Sequence, residues 1–123
     1  MNAYRLFVNG QWVDAVSGET YRIVNPANGQ TVATAALGDE RDAERAADAA
    51  HRAFRAWANT PAPQRADVLL RIYEGMLAHA EELAKRITAE MGKPIREARA
   101  EVKLAAEYVR WNAEEAKRIY GCS

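Results

Sequence analysis

The sequence predicts an α+β segment: an N-terminal antiparallel hairpin and further strands, followed by three long helices. Two observations predict it. Only 3 of the 26 alanines lie before Thr31, where valine, aromatic, glycine and asparagine residues dominate. Beyond that point Ala, Glu, Arg and Leu take over, which reads as strands first and helices after. The second observation is punctuation. Asn-Gly and Pro/Gly clusters break up the first part, and helical spacing of apolar residues runs through the rest. The division expected from this is residues 1–38 for strands and turns and 39–123 for the helical part.

Arg5-Leu6-Phe7-Val8 and Gln11-Trp12-Val13 flank Asn9-Gly10. Asn-Gly between apolar runs is a strong hairpin signature, because both central residues of the tight turn need positive φ. Thr20–Val24 and Thr31–Ala35 are the next strands expected. Between them Asn25-Pro26-Ala27-Asn28-Gly29 reads as a turn, with Pro fixing φ and Gly supplying the left-handed position.

Asp39 is placed as the N-cap of the first helix, with Asp42 in the capping-box position. Ala43, Ala46, Ala47, Ala50, Phe54 and Trp57 then form its apolar stripe. Thr60-Pro61-Ala62-Pro63 ends it, since proline cannot continue a helix. The second helix is expected from about Pro63 to Met91, with a candidate break near His79. Its stripe is Leu69, Ile72, Tyr73, Met76, Ala80, Leu83, Ala84, Ile87 and Met91. Gly92 suits the position just past a helix end, and Pro94 the first turn of the next.

The third helix, from about Pro94 to Tyr120, carries two stripes. The main one is Ile95, Ala98, Val102, Ala105, Ala106, Val109, Ala113, Ala116 and Tyr120; the other is Leu104, Tyr108 and Trp111. A helix with one wet side needs one stripe. The second implies another packing partner, a ligand-facing wall, or a wider buried stripe in a single core.

The 123 residues suffice for about one domain, with 17 basic residues against 17 acidic and a pI near 6.7. That balance argues against nucleic acid as a partner, because phosphate binding needs a basic stripe. No apolar run is long enough to span a membrane, and the start is not a signal peptide. A single cysteine, Cys122, rules out an internal disulfide. The expected compartment is the cytoplasm.

Chemistry is scarce. Cys122 is the only thiol, and His51 and His79 sit among charged residues on expected helix surfaces. The carboxylates alternate with Arg and Lys, as on a solvated helix face. Gly92-Lys93-Pro94 lacks the upstream glycine of a phosphate loop, and no G-x-G-x-x-G occurs. The residues by themselves present no recognisable active site.

Five segments nevertheless carry a resemblance. Phe7-Val8-Asn9-Gly10-Gln11-Trp12 resembles the opening strand of the aldehyde dehydrogenase superfamily, and Asn25-Pro26-Ala27-Asn28-Gly29 its N-P-x-x-G turn. Glu90-Met91-Gly92-Lys93-Pro94 is similar to its E-x-G-K-P helix junction. Ala98–Val102 and Ala113–Gly121 continue the likeness, the last most resembling the succinate-semialdehyde dehydrogenase branch. In order and spacing these segments cover residues 5–121.

Members of this superfamily are several times longer and have an α/β fold, so the resemblance is to their N-terminal segment only. It implies a parent that oxidises an aldehyde, succinate semialdehyde by the best match, to a carboxylate. A thiolate adds to the aldehyde, hydride passes to NAD or NADP, and water hydrolyses the thioester. The thiol, the general-base Glu, the oxyanion-hole Asn and the dinucleotide-binding segment of the parent fall beyond residue 121. Cys122 is not in the G-Q-x-C context of that thiol. No catalytic or cofactor-binding residue is therefore expected in this chain, which would serve as scaffold, be inactive alone and bind no cofactor by itself.

Two residue-level roles follow from the resemblance. The third helix borders the family's substrate tunnel, which makes Leu104, Tyr108 and Trp111 tunnel candidates. In some members a carbonyl at the Val24 position and a carboxylate at the Glu90 position hold a monovalent cation, and oxygen donors suit such a hard ion. The parent is expected to be a homo-oligomer acting on a small aldehyde, with no nucleic acid or membrane partner. The competing expectation is a self-contained helical protein-interaction module without catalysis.

Overall fold

Strands precede helices, as the composition predicts. The computed structural model describes residues 1–120, which fall into two compact units that divide between Asn59 and Thr60. Each is taken by itself. The first holds β1 (Asn2–Tyr4), β2 (Leu6–Val8), β3 (Gln11–Val13), β4 (Thr20–Val24), β5 (Thr31–Ala36) and α1 (Glu40–Ala58). The change from strand to helix thus falls near residue 38, but the compact unit extends through α1.

β2 and β3 form the expected antiparallel hairpin, with Phe7 opposite Trp12 and Val8 opposite Gln11. Asn9 and Gly10 take φ of 53° and 75°, the left-handed pair the turn requires. The Phe7 and Trp12 rings lie 4.9 Å apart, centre to centre. A second sheet has the order β1-β5-β4. β4 and β5 pair antiparallel around the Asn25–Gly29 turn, where Asn25 Oδ1 accepts from the Ala27 N–H at 2.9 Å. β1 was not foreseen, and it pairs parallel to β5, so the strands are not all antiparallel. Asn2-Ala3-Tyr4 has no apolar alternation of its own; it becomes a strand by borrowing the free edge of β5.

Asp39 caps α1, and its carboxylate accepts from the Arg41 N–H at 2.9 Å. Asp42 closes the capping box from the other side, its Oδ2 accepting from the Asp39 N–H at 3.0 Å. The expected stripe of α1 is a different matter. Ala43, Ala46, Ala47, Ala50, Phe54 and Trp57 are all exposed, and the positions buried are Asp42 and Ala49. Within its unit α1 faces the hairpin, where Ala46, Ala49, Ala50 and Ala53 line a groove with Phe7–Gly10, but of these only Ala49 is buried.

The second unit holds α2 (Ala62–Ala78), α3 (Ala80–Met91) and α4 (Ile95–Glu115), with a 3-10 turn over Ala116–Arg118. The expected second helix is two helices, so the segment has four rather than three. The break is at His79, at φ −110° and ψ 17°. The His79 Nδ1 lies 2.9 Å from the Gly75 carbonyl oxygen, a bond that needs the proton on Nδ1. Gly92 ends α3 in the left-handed region at φ 78°, its N–H donating to the Thr88 carbonyl. Pro94 sits at the N-cap of α4, one place earlier than expected, and its carbonyl accepts from Glu97 and Ala98.

Ala84, Ala98 and Val102 form the packed centre of this unit, with Leu83, Ile87 and Ile95 partly buried around them. Ala66, Ala106 and Ala113 are buried too. Of the expected stripes, Ile72 and Met91 are exposed, and Tyr120 lies beyond the helix in the open. The helices meet through alanines, so their backbones approach closely and the larger side chains flank the contact.

Candidate functional site

α4 builds its second stripe into a ridge. Leu104, Tyr108 and Trp111 are spaced i, i+4, i+7, which places them on one line of the helix surface. They are 59%, 65% and 66% exposed. The Asn112 side-chain amide donates to the Tyr108 carbonyl at 2.8 Å, holding a polar group back against the helix backbone. The neighbouring cation is occupied as well. Arg110 donates to Glu107 at 2.7 Å and lies 5.9 Å from the centre of the Tyr73 ring. The hydrogen bond to Glu107 raises the Arg110 pKa above its ordinary value. The ridge therefore presents apolar surface beside neutralised charge, the character of a wall and not of an anion-binding pocket.

A different face of α4 closes a groove of about 330 Å3 against α2 and α3. Its apolar floor includes Met76, Leu83, Ile87 and Val102, and Arg86, Glu90 and Glu101 stand at its rim. Lys93 pairs with Glu101, and Arg86 with Glu82 at 2.7 Å. Glu90 is exposed in the last turn of α3. Two residues before it, the Thr88 hydroxyl is buried without a hydrogen-bond partner.

The remaining candidate, Val24, ends β4 at a register shift opposite Thr31, and belongs to the first unit while Glu90 belongs to the second. A monovalent cation needs several oxygens at once. Among the described residues no group of three or more His, Cys, Asp or Glu converges. Cys122 lies outside the described residues.

Sequence reasoning missed a second groove, of about 230 Å3, in the first unit. Asn9 and Gln11 of the hairpin face Arg45, Asp48 and Arg52 of α1 there. The three- and four-residue spacing of these charges on one helix face was the available signal. The described residues also offer no dinucleotide cradle: no glycine-rich loop runs into a helix N-terminus, and α2 and α4 start at Pro61 and Pro94 without a side-chain cap.

Residues 12–123 match the family model described as the aldehyde dehydrogenase family. The chain belongs to the aldehyde dehydrogenase family. The 3-sulfolactaldehyde dehydrogenase of Pseudomonas putida is 48% identical over 115 residues, 94% of this chain and 24% of that protein. The NADP+-dependent succinate-semialdehyde dehydrogenase of Escherichia coli K12 is 41% identical over 114 residues, 93% of this chain and 24% of that protein. A crystal structure of an Escherichia coli NADP-dependent enzyme superposes with a TM-score of 0.95 at 39% identity, covering 98% of this chain and 25% of that one. The chain thus spans about a quarter of the length of the relatives it matches. Among its described residues no helix is long and apolar enough to cross a membrane.

Proposed function

We propose that this chain is the N-terminal scaffold part of an NAD(P)-dependent aldehyde dehydrogenase that oxidises a small aldehyde to a carboxylate. One observation carries the reading: the whole of residues 12–123 matches the family, yet only a quarter of a relative is spanned. The parent is a cytoplasmic homo-oligomer, and its substrate is succinate semialdehyde or a close chemical neighbour. The two relatives named above are called dehydrogenases of succinate semialdehyde and of 3-sulfolactaldehyde, both aldehydes that carry one acidic group besides, a carboxylate or a sulfonate. The class is therefore a short anionic aldehyde.

Within that enzyme the chain's own residues act on access. Leu104, Tyr108 and Trp111 wall the passage by which the aldehyde enters, and their apolar surface excludes water from it. With Arg110 already paired to Glu107, the substrate's acidic group is bound by residues outside this chain. The Val24 carbonyl and the Glu90 carboxylate are two of the oxygens of a monovalent-cation site that the rest of the enzyme completes. The nicotinamide cofactor accepts hydride when bound, and its site too lies outside this chain.

The test is to splice these 123 residues into the Pseudomonas putida relative in place of the segment they match. The spliced enzyme should form NADH or NADPH on addition of a short anionic aldehyde, and the 123-residue chain alone should form none. Trp111→Ala in the spliced enzyme should raise KM roughly tenfold with kcat little changed, the mark of lost binding in the passage. Dehydrogenase activity of the isolated chain, or a folded spliced enzyme without activity, overturns the reading.

A further inference from the structure

Six asparagines occur in the chain, and two of them, Asn9 and Asn28, precede glycine. Asparagine is a thermolabile residue, and most so before glycine, where no side chain shields the next backbone nitrogen from its amide. By sequence the two sites are alike, since each is followed by Gly-Gln. By exposure they are alike too. Asn9, Gly10, Asn28 and Gly29 are all exposed, and a methyl group placed on either glycine would meet nothing within 4 Å. Hydrogen bonds separate them.

At Asn28 both reacting groups are tied. Its Oδ1 accepts from the Gln30 N–H at 3.0 Å, and the Gly29 N–H donates to the Asn25 carbonyl at 2.8 Å. Both bonds must break before the side chain can turn onto the Gly29 nitrogen. At Asn9 neither group is held. The hairpin pairs Val8 with Gln11 across the turn. Among the described residues, the Asn9 side chain and the Gly10 N–H make no hydrogen bond. Asn9 also lines a groove with Arg45, Asp48 and Arg52 of α1. Neither arginine has an ion-pair partner among the described residues. Two cations against one carboxylate favour the negative charge that develops as the Gly10 nitrogen attacks.

We propose that Asn9 is a site of spontaneous conversion to aspartate and isoaspartate, and that the hydrogen bonds of the Asn25–Gly29 turn shield Asn28 from the same reaction. The Gly10 nitrogen bonds to Cγ of Asn9, the Cγ–Nδ2 bond breaks, and the displaced amide leaves as ammonia with the proton from Gly10. Water then opens the five-membered imide, and nothing is oxidised or reduced. Opening at Cγ gives aspartate, which leaves the backbone path unchanged and sets a carboxylate in the groove of Arg45 and Arg52. Opening at the main-chain carbonyl gives isoaspartate, which adds a carbon to the backbone inside a two-residue turn. The turn then no longer matches the strands it joins, and the pairing of Val8 with Gln11 is lost.

The test holds the full 123-residue chain in mildly alkaline buffer, with and without denaturing urea. Peptide mapping by mass follows the amide-to-acid change at each asparagine, and chromatography separates the two acid products. In buffer Asn9 should convert about tenfold faster than Asn28 or more, because two hydrogen bonds must break at the slower site. In urea those bonds are gone, and the two sites should convert within about twofold of each other. Equal rates in buffer, or a faster Asn28, overturn the proposal. So does an Asn9 that converts in urea and stays intact in buffer, since the folded turn would then protect it. A faster Asn9 that persists undiminished in urea also overturns it, because the contrast would then lie in the sequence and not in the fold.

Discussion

Asp42 is the one charged residue buried among the described residues, and both of its oxygens are used. Oδ2 accepts from the Asp39 N–H, and Oδ1 accepts from the Val16 N–H at 3.0 Å, 26 residues back in the chain. It closes the helix cap and fastens the loop after β3 with a single side chain. Asp42→Ala leaves two N–H groups without their acceptor and should destabilise the first unit by about 2 kcal/mol. Asp42→Asn retains one acceptor oxygen and should recover part of that. Urea unfolding of the two variants measures it, and equal midpoints for Ala and wild type would remove the role. The capping half was legible in the sequence, because a cap is read three residues away. The bond to Val16 was not, because nothing local relates a loop amide to a helix 26 residues on.

α3 and α4 meet through the packed centre of the second unit. Ala84 and Ala98 are fully buried, with Val102 beside them. Ala98→Leu should force the helices apart at a cost of about 1–3 kcal/mol, visible as a lower thermal midpoint in circular dichroism. Arg99 also reaches across to Glu81 with two hydrogen bonds, at 2.9 and 2.8 Å. The Arg99 hydrogen bond holds the Glu81 carboxyl below the ordinary carboxylate range. A depressed native pKa gives stability that is present above the unfolded value and is lost as pH falls through the native one. The gap in melting midpoint between wild type and Glu81→Gln should therefore hold from pH 7 down to about 5 and close below about pH 4. A gap that persists at lower pH would show another cause. Because both side chains are half exposed, the gap itself should be small.

At the scale of the molecule, the described residues include no large side chain that is fully buried; the cores are alanine with one valine. Large apolar residues stand exposed on both units, from Phe7, Trp12 and Phe54 to Leu104, Tyr108 and Trp111. The 123-residue chain should bind a hydrophobic dye under native conditions and associate as concentration rises. A monodisperse chain with one cooperative melt and no dye binding would favour the helical interaction module instead.

What the sequence determined by itself was whatever depends on near neighbours. Asn9-Gly10 required a left-handed turn, Asp39 a helix start, Gly92 a helix end, and the Leu104, Tyr108, Trp111 spacing a ridge. Each is settled by backbone sterics or by a hydrogen bond within one turn of chain. Tertiary structure decided the rest. β1 exists because β5 offers an edge, and the second helix divides where His79 turns its ring back to Gly75. The α1 stripe, apolar as periodicity said, stays exposed because the hairpin stands across an open groove from part of it and buries only Ala49. Periodicity names the face of a helix that can be covered, and only the packing of distant segments supplies the cover.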